Sequence, residues 1–184
     1  MTERNPWQIL SEKKVYDNNW INVTEYDVIN PNGGKGIYGK VHFKNIAVGV
    51  IVLDEENNTY LVGQFRFPLN EYSWEIPEGG GAMDTDPLDS AKRELLEETG
   101  LKANNWKLIL KMHLSNSVSD EYALIFLATG LEQFEPMPEE TEQLVIKKLP
   151  FEEVFRMQQA GQITDSISVA AIQQVKLMQL GERP

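Results

Sequence analysis

Residues 12–44 are predicted to form short strands, with Ile21, Val23 and Tyr26 in a β-prone segment. Within this stretch Asn30–Gly34 (Asn-Pro-Asn-Gly-Gly) is a strong turn signal. A strand from Gly36 to Phe43 would complete a hairpin-like unit after that turn. The pattern therefore predicts a β-rich N-terminal segment over residues 1–44.

The remainder of the chain mixes strands with helices. Ile46 to Leu53 is a continuous apolar run rich in β-branched residues, which favours a buried strand. Further strands are predicted at Tyr60–Phe67, Ser73–Ile76, Trp106–Leu114, Tyr122–Thr129 and Leu144–Leu149. Two helices are predicted at the C-terminus. Strands with helices on both sides predict an α/β/α sandwich with a mixed β-sheet over residues 45–184.

One further helix is predicted from Pro87 to Thr99. Asp86 can accept a hydrogen bond as its N-cap, Pro87 suits the first helical position, and Gly100 suits the position just past the end. Apolar residues spaced for one helical face are predicted to enter the core: Leu88, Ala91 and Leu95.

Three glutamates of this helix, Glu94, Glu97 and Glu98, are placed by the same reading on the opposite side, at spacings i, i+3 and i+4. Like charges at these spacings repel, so a counter-charge is expected. Arg93 is one candidate, and a hard cation such as Mg²⁺ is another. The alternative is an ordinary acidic surface.

The residues before the helix favour a functional site over that alternative. A strand ending in Trp74–Pro77 leads into the loop Gly79–Gly81, and the loop leads into the helix. Glycine lets the backbone approach a phosphate or a metal closely.

The composition of the chain limits the kinds of partner and chemistry that are expected. The 184 residues carry a net charge of −11, which argues against a nucleic-acid-binding protein. The chain has no cysteine, so disulfides and thiol catalysis are excluded. The sequence has no apolar run of membrane-spanning length and no signal-peptide pattern at its N-terminus, so no membrane partner and a cytoplasmic location are expected.

The helix and the glycines before it resemble the box of the Nudix family, which reads G-x5-E-x7-R-E-U-x-E-E-x-G-U with U apolar. Gly79 matches the first glycine, and Arg93–Leu101 matches the whole second half at the correct distance. One position departs, since Thr85 stands where the box has its first glutamate.

The resemblance implies a role for each matching residue. It makes Mg²⁺, with Mn²⁺ as a substitute, the expected cofactor. The implied ligands are Glu94, Glu97, Glu98 and the backbone carbonyl of Glu78, with Arg93 orienting the glutamates.

Three other stretches resemble the ADP-ribose and nucleoside diphosphate sugar hydrolase branch: Leu61–Pro68, Trp74–Pro77 and Gly161–Ser166. The branch implies a homodimer built with the N-terminal segment. It also implies a substrate site at Arg66, Glu75, Gly79 and Gly80. Arg66 could equally be an ordinary exposed strand residue, and Glu75 a structural partner.

That branch also carries a general base on an acidic loop. Here the matching stretch is Glu139–Leu144, in which Glu140 is assigned as the base and Glu142 as its metal-linked partner. A merely solvated acidic loop is the alternative. After the strand that follows the box, Asn116 stands where ADP-ribose hydrolases usually carry a proline. The identity of the sugar in the substrate is therefore left open.

The expected function is therefore Mg²⁺-dependent cleavage of the pyrophosphate bond of a nucleoside diphosphate sugar, such as ADP-ribose, GDP-mannose or a related compound. The expected products are a nucleoside monophosphate and a sugar phosphate. Two rivals remain open: a non-catalytic nucleotide sensor of the same fold, and a nucleoside triphosphate or RNA-cap hydrolase.

Overall fold

A computed structural model describes residues 4–134 and 144–181. Over these residues the strands are β1 Gln8–Asp17, β2 Ile21–Ile29, β3 Lys35–Phe43, β4 Asn45–Leu53, β5 Asn58–Arg66, β6 Glu71–Glu75, β7 Glu78–Ala82, β8 Leu101–His113, β9 Tyr122–Gln133 and β10 Val145–Pro150. The helices are α1 Pro87–Thr99, α2 Phe151–Gln159 and α3 Ser166–Gln179. None of the helices in the described part is long and apolar enough to cross a membrane.

The chain forms two compact units. The first comprises residues 1–45 together with 113–121, and the second comprises 46–112 and 122–184. The segment 113–121 thus belongs with the N-terminal residues, although along the chain it connects β8 to β9.

The first unit is a three-stranded antiparallel sheet in the order β1-β2-β3. The turn at Asn30 forms as predicted: the Asn30 side chain accepts hydrogen bonds from the backbone N–H groups of Asn32 and Gly34. Segment 113–121 adds to β3, where Val41 donates to the carbonyl of Val118 at 2.8 Å.

Asp120 fixes this segment further. Its carboxylate accepts from the backbone N–H of Phe43 at 3.0 Å and contacts Lys40 and His42 at 2.8 and 2.7 Å. Burial alone would raise the pKa of Asp120, but the hydrogen bonds from Lys40 and His42 outweigh it and lower the pKa to about 2.

The second unit contains a mixed sheet in the order β7-β4-β9-β8, in which β4 and β9 run parallel, and a second sheet in the order β10-β5-β6. Alternate residues of β4 meet different helices, because successive side chains of a strand point to opposite faces. Val48, Val50 and Val52 pack with Ala91 and Leu95 of α1 in one core cluster.

The other face of β4 meets α3. A Cβ atom at Gly49 would lie 2.5 Å from Cγ2 of Ile167, so this helix packs against the bare backbone. Helices thus cover both faces of the sheet, and the predicted α/β/α sandwich with a mixed sheet and a β-rich N-terminal segment is confirmed.

Two predicted boundaries were wrong. Gly79–Gly81 is not a loop: it lies within β7, which pairs with β4 at the edge of the sheet. Strand β8 begins at Leu101, directly after the helix, and not at Trp106. In both places pairing with a distant strand overrides the local signal.

Candidate active site

Helix α1 has the predicted ends. Asp86 accepts a hydrogen bond from the backbone N–H of Leu88 at 2.9 Å, and Pro87 occupies the first turn. Gly100 adopts a left-handed conformation with φ of 72°, and its N–H donates to the carbonyl of Leu96. Both caps satisfy backbone groups that a helix end would otherwise leave unpaired.

Glu98 does not lie opposite the apolar face, where the sequence analysis placed it together with Glu94 and Glu97. Glu98 is buried, with 2% of its surface exposed, and the side chains of Glu94 and Glu97 are 12% and 27% exposed. Glu98 follows Ala91 by seven residues, and seven steps of a helix return to within about 20° of the starting direction. Glu98 therefore borders the core, and the three glutamates do not form a fully open acidic surface.

Arg93 connects two of these glutamates to β7. Its Nη1 donates to Oε2 of Glu97 at 2.6 Å, while Nη2 donates to Oε1 of Glu94 at 2.6 Å and to the carbonyl of Gly80 at 2.8 Å. Burial alone would lower the pKa of Arg93, but the carboxylates of Glu94 and Glu97 raise it. The guanidinium thus holds both carboxylates against the strand, which is the geometry expected of an orienting residue.

Gly79 provides the room for Glu94. A Cβ atom at position 79 would lie 2.6 Å from Oε2 of Glu94, a distance that real Cβ atoms essentially never show. Gly81 stands in the same relation to Ser90, one turn earlier in α1, since a Cβ atom there would lie 2.5 Å from its Oγ. The glycines let helix α1 and its carboxylates pack directly on the backbone of β7.

The third glutamate contacts the start of β7. Oε2 of Glu98 accepts a hydrogen bond from the backbone N–H of Glu78 at 3.0 Å. This bond fixes the Pro77–Glu78 peptide, one peptide before the Glu78 carbonyl, which is the backbone ligand implied by the resemblance.

Arg66, at the end of β5, is held by two acids. Its Nε and Nη2 donate to the Glu75 carboxylate at 2.5–3.1 Å, and Nη2 also donates to Oε1 of Glu78 at 2.8 Å. The Arg66 side chain is 36% exposed, whereas that of Glu75 is 3% exposed. Burial alone would lower the pKa of Arg66, but its hydrogen bonds to Glu75 and the charge of that carboxylate outweigh burial and raise the pKa.

These contacts bear on the alternatives that the sequence left open for Arg66 and for Glu75. Arg66 is not an ordinary exposed strand residue, and Glu75 is its buried structural partner. The exposed part of the guanidinium is the part that a phosphate could still reach, because arginine presents five donors in a fixed fork.

The Glu78 side chain lies in a crowded acidic environment. Burial raises its pKa well above the ordinary value, and the nearby carboxylates of Asp165 and Glu75 raise it further. Among the described residues, no group donates a hydrogen bond to its buried Oε2. A carboxyl group that stays protonated would avoid adding a third negative charge beside those of Glu75 and Asp165.

The donor set has the chemistry that a hard cation requires. Carboxylate and carbonyl oxygens are the ligands that Mg²⁺ takes, and glycine at position 79 keeps the backbone open beside Glu94. Within residues 4–134 and 144–181, no three acidic, histidine or cysteine side chains are grouped closely enough to hold a metal as they stand. Binding would therefore compete with the contacts that Arg93 and the Glu78 N–H now make to the glutamates.

Glu140 and Glu142 lie outside the described residues, so their assignments as base and partner remain predictions. Sequence reasoning missed two residues at the start of α3. Asp165 caps that helix and neighbours Glu78, and the Ser168 hydroxyl accepts a hydrogen bond from the backbone N–H of Ile76. The cap was visible in the sequence, but its proximity to β7 was not.

The fold is a mixed α/β sandwich in which a glutamate-rich helix packs on a glycine-rich strand. Residues 43–168 match the family model of the NUDIX domain, and residues 7–41 match the nucleoside diphosphate sugar hydrolase N-terminal domain. The chain belongs to the Nudix family and is a Nudix pyrophosphohydrolase.

Several relatives share most of its length. The chain is 31% identical over 139 residues to the ADP-ribose pyrophosphatase of Mycobacterium tuberculosis, covering 73% of this chain and 67% of the relative. It is 29% identical over 170 residues to the ADP-ribose pyrophosphatase of Bacillus subtilis, covering 91% of each. A solved structure of an ADP compounds hydrolase superposes over the whole of both chains with a TM-score of 0.81 at 19% identity, which supports the fold.

Proposed function

We propose that this chain is a Mg²⁺-dependent hydrolase that cleaves the pyrophosphate bond of a nucleoside diphosphate sugar, of the type of ADP-ribose or GDP-mannose. The match of residues 7–41 to the nucleoside diphosphate sugar hydrolase N-terminal domain carries the substrate class. The three glutamates of the second half of the box, arranged around Arg93 and β7, support catalysis over mere nucleotide sensing.

The reaction adds water across one P–O–P linkage. The water oxygen bonds to one phosphorus, the bridging oxygen leaves with the other, and a nucleoside monophosphate and a sugar phosphate result. Bound Mg²⁺ would neutralise charge on the phosphates and lower the pKa of the attacking water. Mn²⁺ is expected to substitute.

The residues of the chain supply positioning and proton transfer. Arg93 sets the directions of the Glu94 and Glu97 carboxylates, and Glu98 fixes the peptide of Glu78. Gly79 leaves room for the Glu94 carboxylate, and Gly80 carries no side chain that would block a phosphate approaching β7. Arg66, braced by Glu75, is the cation placed to meet a substrate phosphate.

Glu140 is proposed as the base that takes the proton from water, with Glu142 beside it as the metal-linked partner. A general base typically contributes about 10²–10⁴-fold to the rate. Glu140→Gln is expected to lower turnover by that order and to leave Mn²⁺ affinity near that of the wild type. Full activity in this variant would move the assignment to Glu142 or Glu139.

The proposal also includes a homodimer formed through the N-terminal unit. All ten residues of β1 are exposed in the single chain, and large apolar side chains stand open on this sheet: Ile9, Leu10, Val15, Tyr16, Trp20 and Ile37. Exposed apolar area of this kind marks interaction surfaces. Sedimentation at micromolar concentration is expected to give twice the chain mass of 21.0 kDa, and a monomer would contradict this part of the proposal.

The substrate assay measures turnover of ADP-ribose, GDP-mannose and related nucleoside diphosphate sugars. ATP and 5′-triphosphate RNA are tested separately as alternative substrates. Turnover of at least one sugar compound with Mg²⁺, faster than of either triphosphate, is the expected result. Tight nucleotide binding without hydrolysis would support a sensor, and preference for a triphosphate would support the other rival.

A further inference from the structure

We propose that Ser168, in the first turn of α3, is a positioning residue for the candidate metal site. It acts by fixing the backbone of residues 75–78, which joins β6 to β7. The inference rests on the proposed function, since it concerns the same site. It assigns a role to a residue outside the Nudix box and 90 residues further along the chain than Glu78.

Three consecutive residues of this segment are each held by a different element. The N–H of Ile76 donates to Oγ of Ser168 on α3 at 2.9 Å. The carbonyl of Pro77 accepts from the N–H of Val50 on β4 at 2.8 Å. The N–H of Glu78 donates to Oε2 of Glu98 on α1 at 3.0 Å. These bonds fix the peptide groups between Glu75, which braces Arg66, and the Glu78 carbonyl.

Of these three bonds, the one to Ser168 uses a side chain that is not itself a candidate metal ligand. It is completely buried, because Ser168 and Ile76 are both 0% exposed. Water cannot replace the hydroxyl at this depth, so its loss leaves the Ile76 N–H without a partner unless the segment moves.

The start of α3 is itself held in place. Asp165 caps the helix by accepting from the N–H of Ser168 at 2.7 Å, and its carboxylate lies beside the Glu78 side chain. Packing of Ile167 against Gly49 seats the same turn on β4. The hydroxyl is therefore presented to Ile76 from a rigid support, which is what a positioning group requires.

Removal of a residue that orients metal ligands without binding the metal typically lowers metal affinity or activity by about 10- to 100-fold. Ser168→Ala deletes the hydroxyl and leaves the helix backbone and its cap unchanged. Ile172→Val is the matched control, because it trims a fully buried side chain of the same helix and leaves the Ser168 hydroxyl in place.

The experiment compares the wild type, Ser168→Ala and Ile172→Val after thermal melts confirm that all three are folded. Mn²⁺ affinity is measured by isothermal titration. Hydrogen exchange of the peptide that covers residues 74–79 is followed by mass spectrometry, without metal.

We expect Ser168→Ala to bind Mn²⁺ about 10- to 100-fold more weakly and to exchange faster in that peptide. Ile172→Val is expected to match the wild type in both. If the wild type binds Mn²⁺ and Ser168→Ala equals it in affinity and exchange, the role of Ser168 is refuted while the proposed function stands. A wild type that binds no Mn²⁺ would refute both.

Discussion

The carboxylate of Glu94 lies directly over the backbone of Gly79, so closely that a Cβ atom at position 79 would stand 2.6 Å from Oε2 of the glutamate. The first glycine of the box is therefore required by a side chain fifteen positions later. Its function is to leave space and not to supply an unusual backbone angle, since the left-handed glycines of the described chain are found elsewhere.

Gly79→Ala should accordingly keep the fold and lose activity. The added methyl group displaces the Glu94 carboxylate, and misplacement of a catalytic group by about 1 Å can cost on the order of 10²-fold in rate. Gly36→Ala is the control, because nothing lies within 4 Å of a Cβ atom at that position of β3. Turnover and circular dichroism of both variants provide the test. An active Gly79→Ala enzyme would show that Glu94 is not needed where it lies.

Arg66→Met should lower both stability and activity. The substitution leaves the Glu75 carboxylate buried without its cation, and an unsatisfied buried acceptor costs about 1–3 kcal/mol, or more when it is charged. The lower figures apply here, because the guanidinium is partly exposed and its ion pair is screened by water.

The double variant Arg66→Met with Glu75→Gln separates the two effects. Replacing the stranded carboxylate by a neutral amide should recover much of the free energy of unfolding, measured by urea denaturation. Activity should stay low, because the cation that meets the substrate phosphate is still missing. Activity that recovered together with stability would assign Arg66 a structural role alone.

Asp120 should contribute stability that depends on pH. Its folded-state pKa is lowered to about 2 by Lys40 and His42, whereas its ordinary value is 3.8. The unfolded chain therefore takes up the proton first on acidification. The contribution is fully present above about pH 4 and is lost as the pH falls towards 2.

Urea denaturation of the wild type and Asp120→Asn at pH 6 and pH 3 checks this sign. The difference between their free energies of unfolding should be larger at pH 6. A difference that is equal at both values, or that grows in acid, would show that the carboxylate is not held by these cations in solution.

The parts of the fold that depend on local chemistry could be predicted from the sequence. The ends of α1 follow from Asp86, Pro87 and Gly100, each of which acts within a few residues of its own position. The run Ile46–Leu53 was predicted as a buried strand because it is continuously apolar and rich in β-branched residues, and it lies within β4.

The parts of the fold that depend on contacts between residues far apart in the chain could not be predicted from the sequence. The glycines of β7 read as a loop because only pairing with β4, some thirty residues earlier in the chain, makes them a strand. The Arg66–Glu75 pair and the bond from Ile76 to Ser168 arise from the way β5, β6 and α3 meet, and no periodicity in the sequence encodes that meeting. The burial of Glu98, in contrast, could have been predicted, because Glu98 follows Ala91 of the apolar face by seven residues, close to two helical turns.

The most direct test of the central claim is the rate of nucleoside diphosphate sugar hydrolysis by wild type and Glu98→Gln at saturating Mg²⁺. Glutamine keeps the shape of the side chain and an oxygen that can accept from the Glu78 N–H, but it removes one negative charge from the proposed ligands. Glu153→Gln, on the exposed side of α2, is the control for a lost carboxylate. We expect the wild type and Glu153→Gln to release nucleoside monophosphate and sugar phosphate at equal rates, and Glu98→Gln to be slower by orders of magnitude. Full activity in Glu98→Gln would contradict the assignment of these glutamates to a catalytic metal site.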